Sequence, residues 1–265
     1  MTVSEKVLDL ESGAKSINSP SPTSAYSIRI AGDQREVEAA QALRYRVFNK
    51  ELGKGLDNPD ANSLDFDRFD PVCDHLIIVE SATGLIVGTY RLQTGENAGK
   101  ALGYYSEQEF DFEPFEPIRL RSLELGRACI AKDHRNSVTL GLLWRGIAQY
   151  AQSYQARYLL GCSSLLSTDS NVGIAAYRYL SKYLVEDRFI TNPLEGYRCQ
   201  PNERLAKTEF QPSDIPRLMK AYLTLGARLC GEPAIDREFK TIDFLTMLDL
   251  ESLASRAKEK FFGIR

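Results

Sequence analysis

The chain has 265 residues, 43% hydrophobic and 10% aromatic, enough to bury one large core or one core with an appended subdomain. Its formal charge of -3 excludes the overall basic field that nucleic-acid binding requires, although Arg119, Arg121, Arg127, Lys132 and Arg135 form a locally positive stretch suited to an acidic partner. No early segment approaches the ~20 apolar residues of a membrane span and no signal-peptide core precedes the first element, so a cytoplasmic protein is expected, with peripheral contact at the inner face of the membrane left open.

Residues 1-25 are rich in Ser, Pro and Thr and read as a disordered leader, with one domain over 26-265. Tyr26 to Ile30 alternates as a short strand. Asp33 and Glu36 then resemble a capping box opening a helix through Val37, Ala40, Leu43 and Val47. Lys50 to Pro71 is polar and acidic and reads as a long loop, of the kind that is often functional. His75 to Val79 and Leu85 to Leu92 flank Ala82-Thr83-Gly84 and predict an antiparallel hairpin. An aromatic-rich stretch leads to a strand around Glu124, followed by a helix (Thr139 to Ala156), a strand (Tyr158 to Cys162) and a helix (Ile174 to Leu184). A C-terminal extension over about 200-265 reads as helix (Ser213 to Leu229), strand (Lys240 to Leu248) and helix (Glu251 to Phe262). The expected class is α+β, a mixed, mostly antiparallel central sheet with helices on both faces, plus this helix-strand-helix extension.

Glu124-Leu125-Gly126-Arg127 places opposite charges inside the apolar run from Leu120 to Ile130. A buried charge is costly unless paired, so the pair reads as a structural ion pair or as a site for chemistry. Three residues apart on a regular strand, the two would face opposite ways, whereas a β-bulge at Gly126 would bring both into one pocket. The five cysteines, widely spaced and without a CxxC pair, read as reduced thiols. His75 and His134 have no third ligand signature beside them, so no metal site is expected, and Cys162, in an apolar run without a histidine partner, is not expected to be a nucleophile.

Leu43-Arg44-Tyr45-Arg46-Val47-Phe48, Asp67-Arg68-Phe69-Asp70, Val87 to Leu92 and Glu124 to Arg127 together resemble the signature set of acyl-homoserine-lactone synthases and related carrier-protein-dependent N-acyltransferases, branches of the GNAT superfamily. Tyr222 to Asp236 and Asp243-Phe244-Leu245 are similar to the hemolysin-like branch containing L-ornithine Nα-acyltransferases. Where lactone synthases carry a tryptophan, Gly53-Lys54-Gly55-Leu56 stands, and His134 to Gly141 lacks a full glycine-rich pyrophosphate loop. A pyrophosphate favours such a loop at a helix N-terminus, so its erosion fits a phosphopantetheine arm.

The resemblance implies a GNAT-like fold and transfer of a 3-hydroxyacyl chain from acyl carrier protein to the α-amine of ornithine, forming lyso-ornithine lipid. The acyl-phosphopantetheine is the donor and no cofactor is bound. Glycine or another amino acid is the alternative acceptor, a lactone synthase the alternative enzyme, and a lipid- or carrier-protein-binding module the non-enzymatic alternative. Glu124 and Arg127 are the expected catalytic residues, Glu124 as base or as partner in an ion pair with Arg127. Arg44, Phe48, Asp67, Asp70 and Arg91 are expected to bind substrate, the aspartates taking ammonium groups and an arginine the carboxylate. Lys132, Arg135 and Arg145 are the expected docking contacts for an acidic carrier protein. Phe48, Phe69, Phe110, Leu142, Trp144 and Leu160 are candidates for an acyl tunnel, most of them expected to be core.

Overall fold

The computed structural model describes residues 25-55, 63-203, 207-255 and 259. The leader, apart from its last residue, and half of the C-terminal helix expected from Glu251 to Phe262 lie outside the described residues. Among those described, eight strands form one sheet in the order β1-β2-β3-β4-β5-β8-β6, with β7 also on β8. The strands are β1 (Tyr26–Ile30), β2 (Asp74–Glu80), β3 (Ile86–Thr94), β4 (Ser122–Ile130), β5 (Tyr158–Leu165), β6 (Arg228–Leu229), β7 (Ala234–Asp236) and β8 (Thr241–Asp249). The helices are α1 (Gln34–Tyr45), α2 (Gly95–Lys100), α3 (Ser137–Ser153), α4 (Ser170–Leu180) and α5 (Arg217–Leu225). None of them is long and apolar enough to cross a membrane.

The period-2 pattern divides the sheet faces. Leu76 and Ile78 of β2, Tyr90 and Leu92 of β3 and Leu123 of β4 pack against Leu143, Trp144, Ile147 and Tyr150 of α3. Their neighbours His75, Arg91 and Glu124 face the other way, toward α1 and the aromatic stretch. The expected capping box forms by half: Asp33 accepts from the Glu36 N–H, but the Glu36 side chain turns to Gly32 and Arg29. Beyond Tyr45 the helix continues as a π-helical turn over Arg46–Glu51, which carries Phe48.

The C-terminal extension is not an appendage. β8 pairs antiparallel with β5 along its full length, Tyr158 opposite Asp249 through Leu165 opposite Ile242, and so lies inside the sheet. Its burial is the physical reason: eight of its nine residues are buried, and a strand carrying Ile242, Phe244, Leu245, Met247 and Leu248 cannot be left at the surface. β6 and β7, too short for a periodicity signal, were not expected. The helix expected to reach Leu229 ends at Leu225, where Gly226 adopts φ 106° and caps it.

β4 and β5 pair in parallel only from Ser122–Tyr158 to Glu124–Leu160, then separate. Gly161 stands at the last point of contact, where an added Cβ would lie 2.3 Å from the Leu125 carbonyl oxygen. The strands therefore splay just beyond Glu124 and leave a cleft between them. Gly161→Ala is expected to lower the melting midpoint by several degrees, about 2 kcal/mol, and to reduce activity with it. Gly99→Ala, with nothing within 4 Å of its Cβ position, is the control and leaves thermal unfolding unchanged or raised.

Candidate active site

Beyond Glu124 the expected bulge is present. Arg91 faces Gly126 and Thr89 faces Cys129, so Tyr90 alone opposes Arg127 and Ala128. The left-handed residue is Arg127 itself, φ 53°, rather than the glycine. A non-glycine residue held there stores of the order of 1 kcal/mol or more, a cost met where surrounding contacts over-determine the conformation. The bulge turns Arg127 onto the face of Glu124, and both line one cavity of about 220 Å³ in the splay, together with Arg91, Tyr105, Cys162, Asp236 and Asp243.

Glu124 and Arg127 do not pair with each other. The Glu124 carboxylate accepts from the Tyr105 N–H at 2.7 Å, the Ser106 N–H at 2.8 Å and the Ser106 hydroxyl, so it anchors the turn Tyr105–Gln108 to β4. Burial raises its pKa, and these hydrogen bonds offset only part of the rise. Arg127 reaches Asp67 at 2.8 Å and Asp65 at 3.6 Å, with its guanidinium stacked between Tyr105 and Phe239 at 4.6 and 4.1 Å from the ring centres.

Arg44, Asp67 and Asp70 meet as expected, but beneath the cavity rather than in its wall. Arg44, fully buried, bridges Asp65 at 2.8 Å and Asp70 at 2.7 Å. Arg91 holds Asp67 at 2.6 Å and lies 3.6 Å from Asp70. Asp70 in turn accepts from the Asp67 N–H, and Asp67 from the Phe69 N–H, which closes the loop on itself. His75 contacts the Asp70 carbonyl, and burial lowers its pKa, so it adds no charge near neutral pH. Three arginines thus face three aspartates. The oxygens of Asp67 and Asp70 are engaged by arginines and backbone, which leaves them poorly placed to receive a substrate ammonium. Asp65, a third acidic member, was not singled out in the sequence because nothing local distinguishes it from its loop neighbours.

Phe48 lines the cavity and also an adjoining apolar chamber of about 260 Å³, walled by Val47, Leu52, Leu143, Trp144 and Tyr222 among others. Phe69 and Phe110 are core: Phe69 packs on Tyr105, and Phe110 belongs to an aromatic cluster with Phe112 and Phe115. Leu160 packs in that same cluster, and Leu142 is partly buried against the core under α3. Lys132 and Arg145 are exposed, while Arg135 is paired with Glu51 and donates to the Ile130 carbonyl. Cys162 has a pKa pushed well above the ordinary thiol range by burial and by Glu109, Asp243 and Glu124, so it is a protonated wall residue rather than a nucleophile. All five cysteines are free thiols, two of them buried.

At the start of α3, Asn136 caps the Val138 and Thr139 N–H groups at 2.9 and 3.1 Å, and its own N–H is met by the Thr139 hydroxyl. These are the amides that a pyrophosphate would need.

The bulged β4 splays from β5 around a buried acid, beside an apolar chamber, and the fold that carries them is GNAT-like. Residues 43–145 match the family model described as an acetyltransferase (GNAT) domain. Among solved structures, the N-acyl amino acid synthase FeeM from uncultured soil microbes aligns with a TM-score of 0.53 at 12% identity, covering 88% of this chain and 97% of that one. The acyl-homoserine lactone synthase BjaI aligns at 0.50 and 11% identity, covering 87% and 82%. Curated relatives are closer in sequence: the L-ornithine Nα-acyltransferase of Brucella abortus is 33% identical, covering 86% of each chain, and that of Rhodobacter capsulatus is 32% identical, covering 89% of this chain and 94% of the relative. The chain belongs to the L-ornithine Nα-acyltransferase family.

Asp67 carries the clearest pH signature. Burial alone would raise its carboxyl pKa, but Arg91 and Arg127 reverse this and hold it well below the usual carboxylate range. A depressed folded-state pKa gives stability that is complete above the unfolded value of ~3.9 and is lost as pH falls through the folded one. Asp67→Asn is expected to cost roughly 2 kcal/mol at pH 7, and the deficit should shrink between about pH 4 and 2 in urea titrations. An equal deficit at both ends would mean that the side chain acts through packing alone.

Proposed function

We propose that the protein transfers a 3-hydroxyacyl chain from the phosphopantetheine thioester of acyl carrier protein to the α-amine of L-ornithine, forming lyso-ornithine lipid. The observation that carries this reading is the apolar chamber adjoining, through shared residues that include Phe48, Leu52, Tyr90 and Tyr222, a cavity whose wall carries Arg91, Glu124, Asp236 and Asp243. An acyl chain suits the first and a zwitterionic amino acid the second. Names borne by the curated relatives support ornithine as acceptor. The capped amides of α3 favour a donor without pyrophosphate, hence a carrier protein over free coenzyme A.

The neutral α-amine attacks the thioester carbonyl carbon; the C–N bond forms, the C–S bond breaks, and the proton lost by nitrogen ends on the departing thiolate. Glu124 accepts that proton, directly or through water, its basicity raised by burial, and passes it on to the thiolate. The bulge leaves one residue of β4 outside the ladder, and its N–H is the proposed donor to the developing oxyanion. Arg91, whose Nη2 has no hydrogen-bond partner among the described residues and which lines the cavity, takes the substrate carboxylate. Arg44, Asp67 and Asp70 support the site by holding Arg91 and Arg127 in place. The reaction requires no membrane crossing, and a cytoplasmic enzyme releasing its lipid product at the inner membrane face is the proposed location.

Thiol release from 3-hydroxyacyl carrier protein, followed with a panel of amino acids, tests the proposal; no release with any amine removes it. Glu124→Gln should lower turnover by about 10²–10⁴-fold and abolish an acid limb lying above the ordinary carboxylate range, since protonation of Glu124 at low pH mimics the variant. Because the new amide group would face the Tyr105 and Ser106 donors, some stability is lost as well, so the pH profile rather than the rate alone identifies the base. For docking, Lys132→Glu combined with Arg145→Glu should raise the Michaelis constant for carrier protein several-fold at low salt and much less at high salt.

A further inference from the structure

Asp236 and Asp243 line the cavity that holds Glu124, Glu109 lies behind them against Asp243 and Cys162, and the proposed reaction as described uses none of the three. Glu109 follows directly on the turn whose amides hold Glu124. It is 1% exposed, and neither carboxylate oxygen has a hydrogen-bond partner among the described residues. Asp243, on β8, is 4% exposed with one oxygen likewise unpartnered, and it lines the cavity with Asp236 of β7. Asp236 accepts from the Tyr105 hydroxyl at 3.3 Å and the Phe239 N–H at 2.8 Å, so its position is set by the same tyrosine that stacks on Arg127. Oxygen atoms of Glu109 and Asp243 and the Cys162 sulfur lie within 4.8 Å of one another. Burial and mutual repulsion push Asp243 up to about 6 and Glu109 well above its usual value. Three carboxylates so enclosed need a cation to be stable when ionised.

We propose that Glu109, Asp236 and Asp243 form a cage for the distal ammonium of a diamino-acid acceptor, and so select it over neutral amino acids. This deepens the reading of ornithine as acceptor and rests on it. An ammonium offers three donors, one for each carboxylate, and carries the compensating charge. Two of its members, Asp236 and Asp243, line the cavity that holds Glu124 and Arg91, so an acceptor gripped at its far end presents its α-amine and carboxylate to those groups. A neutral side chain of the same length would leave buried carboxylates unpaired and be rejected. A divalent metal is the less favoured occupant, because its third ligand would be Cys162, a thiol kept protonated by its surroundings.

Norvaline, which is ornithine without the distal amine, is the discriminating probe. The wild-type chain is expected to prefer ornithine by on the order of 10²-fold in kcat/KM, and Glu109→Gln and Asp243→Asn should collapse that ratio. Both variants should also raise the melting temperature of the unliganded protein, since each removes a buried carboxyl that must otherwise take up a proton or stay unpaired, whereas a merely structural role would lower it. Calorimetric titration reads the cage without turnover: ornithine binding weakens at least about tenfold in the variants while norvaline binding does not change. Equal use of ornithine and norvaline overturns the cage and leaves acyl transfer standing. Absence of thiol release with every amine overturns the proposed function, and calorimetry then decides the cage by itself. Stabilisation by Zn²⁺ that Cys162→Ser abolishes, without discrimination between the two amino acids, would assign the cluster to a metal and overturn the proposal.

Discussion

The buried ion network of Arg44, Arg91 and Arg127 with Asp65, Asp67 and Asp70 is the constraint on which the site depends. It joins α1, the acidic loop, β3 and the bulge of β4 within a few ångströms. Charges of this kind do not add much stability relative to a well-packed apolar core, because desolvation consumes most of the attraction. They do make one arrangement far better than its alternatives, since withdrawing any member strands a partner in a low-dielectric interior. The network thereby tolerates the left-handed Arg127 and fixes the cavity wall that follows from it.

Glu124 belongs to a second polar system on the same face. Its carboxylate ties the turn Tyr105–Gln108 to the sheet, and that turn supplies Tyr105 to stack on Arg127 and places Glu109 beside Asp243. One side chain thus organises a wall of the cavity while remaining part of it. The apparent conflict between a structural and a chemical role dissolves in part: Arg127, which would have made Glu124 more acidic by direct contact, is drawn away by Asp65 and Asp67. The field at Glu124 is then dominated by burial, which favours the proton.

Legibility in the sequence followed the range of the interaction. The hairpin β2–β3, the strands β4 and β5 and helix α3 were readable because alternation and helical periodicity operate over a few residues. Glu124 and Arg127 were readable because a charge in an apolar run demands an explanation, and Arg44 and Arg91 through the resemblance of the motifs that contain them. Asp243 sends that same signal between Ile242 and Phe244 and was passed over as a site residue, whereas Glu109 and Asp236 sit in stretches where an acid is unremarkable. The hydrogen bonds from residues 105 and 106 to Glu124 had no local signature, because backbone donors are present at every position.

By itself, then, the sequence determined the sheet-and-helix class, the hairpin, the bulge to within one residue and the acyltransferase resemblance, all of which rest on local patterns. Only the tertiary structure decided that β8 enters the sheet beside β5, that Glu124 and Arg127 share a cavity without touching, and which acids are engaged by arginines and which are left facing one another. Those outcomes depend on pairings between residues tens to more than a hundred positions apart. Charge and hydrophobicity at one position limit such pairings, but their choice is made by packing and desolvation summed over the whole chain.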